Sequence, residues 1–209
     1  MIRNIILIFV CFLLKTHLLN AQNGCTPDIP KHFDILVAYD QDCVTQLGGV
    51  TAARKRITEN MDVAVSQLNT LFQQFNVTFE VVFFPDKIYP NNLDHLQVAT
   101  QIGQDFICVP KHGTVFFQGY SAGGETQGLT SIINAGSISA SLLVHELGHQ
   151  IFGAGHTDAS PCSADCTSNF MESNFMCEVG DELEFTSCQI NFLNTVWFAN
   201  GCPELMRHI

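Results

Sequence analysis

From Ile138 to Phe152 the chain is apolar almost all the way round a helix, with Ile138, Leu142, Leu143, Val144, Leu147, Ile151 and Phe152 leaving no broad polar face. Such a helix belongs in the middle of a domain. Yet it carries His145, Glu146 and His149, and polar groups are costly to bury without partners. The histidines stand four apart, one turn above the other on one face, so both imidazoles can reach a single metal ion. Glu146 lies beside them, in the place of a general base. Ser137 or Ser139 supplies the N-cap. The segment from Gly153 to Gly155 can break the helix and bring His156 in as a third nitrogen ligand. Three protein ligands and an open fourth position form the coordination of a catalytic zinc, not a structural one. A His-Glu-x-x-His pentad alone is a weak signal; its place on a buried helix gives it weight.

Further residues carry a resemblance. His145-Glu146-x-x-His149, a glycine turn, His156, and then Met171 in Asn169-Phe170-Met171-Glu172 or Met176 in Asn174-Phe175-Met176-Cys177 resemble the metzincin clan of zinc peptidases. Within the clan the likeness is to the adamalysin (reprolysin) group. Cys162 and Cys166 after the third histidine suit that group, as do Phe185-Thr186-Ser187-Cys188 leading into a final helix and Cys202 near the C-terminus. The resemblance is specific from about Leu142 to Cys188. It implies a zinc-dependent endopeptidase acting on polypeptides, with His145, His149 and His156 on one Zn²⁺, Glu146 as general base, and Met171 or Met176 as the floor beneath the metal. Simple core filling is the alternative for either methionine.

One departure stands out. The clan spaces its second and third histidines by five residues, whereas the gap here is six; position 152 is Phe and glycine comes one later, at Gly153. A helix longer by one residue turns its exit by about 100°, so His156 needs a different turn to reach the metal. Glycines on both sides of Ala154 give that turn its freedom. Asp158, and after it Glu172, are the alternative third ligands.

The N-terminus reads as an export signal. Met1-Ile2-Arg3 is a short positive start, Ile5 to Leu14 is apolar, and Leu19-Asn20-Ala21 offers a small-residue cleavage site. Residues 1–21 are therefore expected to be a signal peptide and residues 22–209 a single catalytic domain of a secreted protein. Its 188 residues are enough for one well-cored unit. Cleavage removes two of nine basic side chains, Arg3 and Lys15, and leaves seven against twenty acidic ones, formally −13. That charge excludes nucleic acid and anionic membranes as expected partners, no later stretch is apolar enough for a membrane span, and a monomer is expected.

Nine cysteines become eight when Cys11 leaves with the signal. An even number suits disulfides in an oxidising compartment. Cys25–Cys43 and Cys108–Cys202 are the expected pairs, leaving Cys162, Cys166, Cys177 and Cys188 to staple the lower part. Cys162-x-x-x-Cys166 as a second, structural zinc site is the alternative. Asn76-Val77-Thr78 is a glycosylation sequon, meaningful in a eukaryotic source. Cys25-Thr26-Pro27-Asp28 is faintly like the latency motif of matrix metalloproteinases, and an even cysteine count argues against that role.

The remaining chain predicts an α/β (α+β) architecture. It combines a mixed twisted sheet and long helices in an N-terminal lobe with a smaller, disulfide-stapled C-terminal lobe. Phe33–Tyr39 reads as a first strand. Ile57, Met61, Val65, Leu68, Phe72 and Phe75 recur at helical spacing from Thr51 to Phe75. Val77–Phe84 reads as a second strand, Leu93–Phe106 as a helix and Thr114–Gln118 as a third strand. Gly119–Gly128 reads as a flexible glycine-rich loop and Leu129–Asn134 as a fourth strand. In metzincins the strand before the zinc helix lies at the cleft edge, where an extended substrate pairs with it; a buried strand is the alternative.

Other polar residues say less. His32, His95, His112 and His208 lie outside ligand spacing and read as surface or loop histidines, and Arg54-Lys55-Arg56 as the exposed face of the long helix. Asp181, Glu182 and Glu184 read as a solvated acidic turn, with a Ca²⁺ site as the alternative. The competing class is a catalytically silent binding protein that has kept the fold. Such proteins usually lose the glutamate, and Glu146 is present.

Overall fold

A computed structural model of the protein describes residues 31–83, 87–105, 113–119, 123–152 and 187–192. Strand β1 (Lys31–Tyr39) is buried on both faces. Phe33, Ile35, Val37 and Tyr39 enter one apolar cluster, and Leu36 and Ala38 enter another on the opposite side. Alternation along a strand sends successive side chains to opposite faces, and a strand apolar at both belongs inside a sheet covered by helices.

Asp40 ends β1 and caps helix α1 (Gln41–Gln46), its Oδ1 accepting the Cys43 N–H at 2.7 Å. Helix α2 (Val50–Phe72) buries Ala53, Ile57, Met61, Ala64, Leu68, Leu71 and Phe72 at helical spacing. A 3₁₀ turn over Gln73–Phe75 follows. It ends at Asn76, whose left-handed φ of 53° suits Asn better than most residues. Asn76 is exposed, the setting its sequon requires.

Strand β2 (Val77–Phe83) then runs parallel to β1. Helix α3 (His95–Asp105) starts with a reciprocal cap: the Gln97 N–H donates to Asp94 Oδ1 at 2.8 Å, and the Asp94 N–H donates to Gln97 Oε1 at 3.0 Å. Strands β3 (Gly113–Gln118), β4 (Gly124–Gln127) and β5 (Thr130–Asn134), then helices α4 (Ala140–Phe152) and α5 (Ser187–Phe192), complete the described chain.

The five strands lie in the order β2-β1-β3-β5-β4, parallel except for β4. Crossovers of one hand place a helix on one face when the chain steps outward and on the other when it steps back. The helices lie accordingly. The larger cluster joins α2 and α4 to one face, through Ile57, Met61, Leu143, Val144, Leu147 and Ile151. The smaller joins α3 to the other, with Tyr89, Leu93, Val98 and Ile102 against Phe116 and Ile132. Arg56 Nη2 donates to the Ile138 carbonyl at 3.3 Å and ties α2 to the entry of α4.

The fold is the expected mixed α/β one, with strand–helix–strand order as read from the sequence. Three expectations need correction. Gly119–Gly128 is not simply a loop, since β4 lies within it. The strand read at Leu129–Asn134 is β5, paired on both sides to β3 and β4, so it offers no edge to a substrate; the edge belongs to β4. Leu129 lies outside it, in the turn joining the two strands, and is 43% exposed.

The expected Cys25–Cys43 pair is also overturned. Cys43 is a free thiol, fully buried against the larger core, because the Asp40 cap fixes α1 with that side chain turned inward. Burial, aided by the nearby Asp40 charge, pushes the thiol's pKa up to about 12. Arg54 and Arg56 are anchored rather than merely solvated, Arg54 Nε donating to Tyr39 Oη at 2.9 Å; Lys55 is exposed and pairs with Glu59 at 3.8 Å. No helix among the described residues is long and apolar enough to cross a membrane. The expected signal segment, Cys25, Cys108, Cys162, Cys166, Cys177, Cys202, residues 181–184, His112 and His208 lie outside the described residues, and of the expected disulfide-stapled lobe only α5 (Ser187–Phe192) lies within them.

Candidate active site

Helix α4 is positioned by its N-cap and by its buried apolar face. Ser139 Oγ accepts the Leu142 N–H at 3.2 Å, which settles the N-cap between the two candidate serines. Leu143, Val144, Leu147 and Ile151 then sink into the larger core. The remaining face is polar: Glu146, His149 and Gln150 are buried, and His145 is half-buried.

The two imidazoles meet. His145 Nε2 and His149 Nε2 lie 3.1 Å apart, with ring centroids 4.6 Å apart and planes at 86°. Two nitrogens on one tetrahedral zinc, each about 2.0–2.1 Å from it, stand roughly 3.3 Å apart. The pair therefore fits a shared ion within a few tenths of an ångström, provided both Nε2 atoms are unprotonated. With one of them protonated, the same distance is an N–H···N hydrogen bond. Among the described residues no group of three or more His, Cys, Asp or Glu converges as a metal site. His156, its alternatives Asp158 and Glu172, and Met171 and Met176 lie outside the described residues.

Glu146 is 2% exposed and turns toward β4. Thr126 Oγ1 donates to Glu146 Oε2 at 2.6 Å, a length typical of a hydroxyl bonded to a charged carboxylate. The same hydroxyl lies 3.1 Å from the Glu146 main-chain carbonyl. Across from it, a Cβ on Gly124 would stand 2.6 Å from Oε1, 2.9 Å from Cγ and 3.0 Å from Cδ. The carboxylate thus fills the space that a side chain at 124 would need.

Behind Thr126 a hydrogen-bond chain continues. Thr126 Oγ1 and Ser131 Oγ are 2.7 Å apart, Gln150 Nε2 donates to Ser131 Oγ at 2.6 Å, and it also donates to the Thr114 carbonyl at 2.9 Å.

β4 is, with β2, one of the two outer strands of the sheet among the described residues. The Asn134 N–H donates to the Gly123 carbonyl at 2.8 Å, which sets the alternation of the antiparallel pair. Residues 125 and 127 then bond inward to β5, while the backbone N–H and C=O groups of Gly124 and Thr126 turn outward. His95 is no idle surface histidine: its Nε2 lies 3.1 Å from the Glu125 carbonyl and links α3 to this strand. The sequence reading missed Gly124, Thr126, Ser131 and Gln150. One signal was available, since Gln150 stands four residues from Glu146 on the same helical face.

No protein-family model matches the sequence, and no curated protein is a significant match to it. Among solved structures, the chain is similar to metalloproteinase-II from Bacteroides fragilis, with 14% identity and a TM-score of 0.49 over 84% of this chain and 54% of that one. It is also similar to a chain in a chaperone–substrate complex, with 14% identity and a TM-score of 0.48 over 84% of this chain and 35% of that one. This chain thus spans 54% and 35% of the lengths of those two. Likenesses this distant decide neither family nor activity.

Proposed function

We propose that the protein is a secreted zinc-dependent endopeptidase. The observation that carries this reading is the 3.1 Å approach of two imidazole nitrogens beside a buried glutamate on one helix. His145, His149 and His156 would hold the ion. Bound zinc supplies a Lewis acid and lowers the pKa of water to about 7.

The chain's own residues do the rest. Glu146 takes the proton of the attacking water and returns it to the departing amine nitrogen. Its Oε2 is engaged by Thr126, which leaves Oε1 for that proton. The outward backbone groups of Gly124 and Thr126 align an extended substrate as a further strand on β4, in place of the strand first expected at 129–134.

The test is cleavage of casein with and without a zinc chelator, beside Glu146→Ala. Cutting by the wild type is expected, abolished by the chelator and lowered at least about a thousandfold by the substitution, with zinc content unchanged. Separate His156→Ala and Asp158→Ala variants, read by bound zinc, assign the third ligand. Wild-type protein that holds zinc and cuts nothing would refute the peptidase reading.

A further inference from the structure

We infer that Gln150, Ser131 and Thr126 form a one-way hydrogen-bond relay that positions the Glu146 carboxylate against the edge strand, with Thr126 as the positioning residue. The inference rests on the proposed peptidase function. Its direction is fixed at both ends by chemistry. At one end, the Thr114 carbonyl can only accept, so the Gln150 amide must present its nitrogen there. That orientation leaves Gln150 Oε1 buried with no hydrogen-bond partner among the described residues, a cost accepted because Nε2 makes two bonds.

The second proton of Nε2 goes to Ser131 Oγ at 2.6 Å, so Ser131 accepts and its own proton is passed on. The nearest acceptor is Thr126 Oγ1 at 2.7 Å; the Glu146 carbonyl is 3.4 Å away. At the far end, an ionised carboxylate can only accept, so the single Thr126 proton goes to Glu146 Oε2 at 2.6 Å. Run backwards, the chain would need Gln150 Oε1 facing the Thr114 carbonyl, oxygen against oxygen.

Both ends lie where a glycine makes room. A Cβ at Gly113 would overlap Gln150 Oε1, and one at Gly124 would press on the Glu146 carboxylate. Ser131 and Gln150 are buried, and Thr126 is half-buried on the strand whose outward backbone faces the proposed substrate. One residue therefore sets the general base with its side chain and the substrate register with its main chain. A base held to the same strand as the substrate keeps its distance to the reacting bond, and a misplacement of about 1 Å can cost on the order of a hundredfold in rate.

The experiment uses the full secreted chain carrying Thr126→Val, Thr126→Ser or Glu146→Ala, and the Thr126→Val/Glu146→Ala double variant. In the metal-free protein, urea unfolding is read as a double-mutant cycle. A coupling of about tenfold or more in the unfolding equilibrium constant is expected, since the bond ends on a charged group. In the zinc-loaded protein, Thr126→Val is expected to lower kcat about 10- to 100-fold, with KM within about twofold and zinc content unchanged. Thr126→Ser keeps the hydroxyl and is expected to restore kcat to within about threefold.

A coupling under about twofold would overturn the relay whatever the activity. Strong coupling with unchanged kcat, or failure of Thr126→Ser to rescue, would reduce Thr126 to a structural strut. A wild type that cuts nothing would overturn the positioning role together with the peptidase function, and the cycle would still report whether the bond exists.

Discussion

Substituting Gly124 by alanine tests the site where Glu146 packs against β4. The new Cβ would stand 2.6 Å from Glu146 Oε1, 2.9 Å from Cγ and 3.0 Å from Cδ, where ordinary contact begins at 3.4 Å. Because Cγ is caught as well as the oxygen, rotating the terminal carboxylate alone gives no relief. The whole side chain must retreat from β4 by roughly 0.5–0.8 Å, on the scale at which misplacement costs rate. Thr126 lies two residues along on the same face of the strand, so the retreat also stretches its 2.6 Å bond to Oε2. A hydrogen bond to a charged group is worth about 1.5–3 kcal/mol, and overpacking costs about 1–3 kcal/mol. Gly124→Ala should therefore lose about 1–3 kcal/mol of stability by urea unfolding. It should also lose about 30- to 100-fold in kcat on a quenched peptide substrate, with zinc content unchanged. Gly128→Ala is the control. Nothing lies within 4 Å of its added Cβ, and only its φ of +57° is strained, so stability should fall by about 1 kcal/mol with kcat intact. A Gly124→Ala protein of wild-type stability and kcat would mean that Glu146 does not occupy this space.

Two further outcomes concern the scaffold. Iodoacetamide at about pH 8 should leave Cys43 unlabelled in the native protein and label it once unfolded, because the thiol is buried with a pKa raised to about 12; peptide mapping that finds Cys43 in a disulfide would refute its placement. Asp105 has its pKa lowered by hydrogen bonds from Lys87 and then Tyr89, so its contribution to stability is present above the unfolded value near 3.8 and lost as pH falls through the lower folded value. Asp105→Asn should then cost up to about 1 kcal/mol at neutral pH, this being a partly exposed pair. The difference should narrow as pH falls below the unfolded value near 3.8, and a gap that stays at full size through that fall in urea titrations would contradict the assignment.

How much could be read from residues alone depended on how much apolar patterning each element carries. Ile57, Met61, Leu68 and Phe72 announce α2 because a long helix repeats its buried face six times over. Helix α4 was legible for the same reason, down to Ser139 as one of two candidate caps. β4 was not. Its inward positions are Gly124 and Thr126 and its outward ones Glu125 and Gln127, so its alternation contains no hydrophobic contrast. It is a strand because the Gly128–Leu129 turn folds it back onto β5, which no local propensity records. The parity of the cysteines misled in another way. Counting cannot see that Asp40 caps α1 with Cys43 facing the core. The relay from Gln150 to Glu146 leaves helix α4 and returns to it through bonds that span 19 and 20 positions, and only the sheet register brings those residues together.

The outward edge of β4 also bears on how copies of this protein treat one another. An edge strand open to a substrate chain would be equally open to the same strand of a neighbouring molecule, the usual route to sheet-to-sheet aggregation. Here the edge is four residues long, bears Glu125 and has no large apolar side chain. Each copy also carries a net charge of −11 near neutral pH. A short edge and like charge both weigh against such pairing. On the proposed peptidase reading, a peptide with basic side chains would not meet the charge obstacle. If the proposed substrate pairs there, the acidity of the chain would act as a filter at that edge, turning away itself while admitting others.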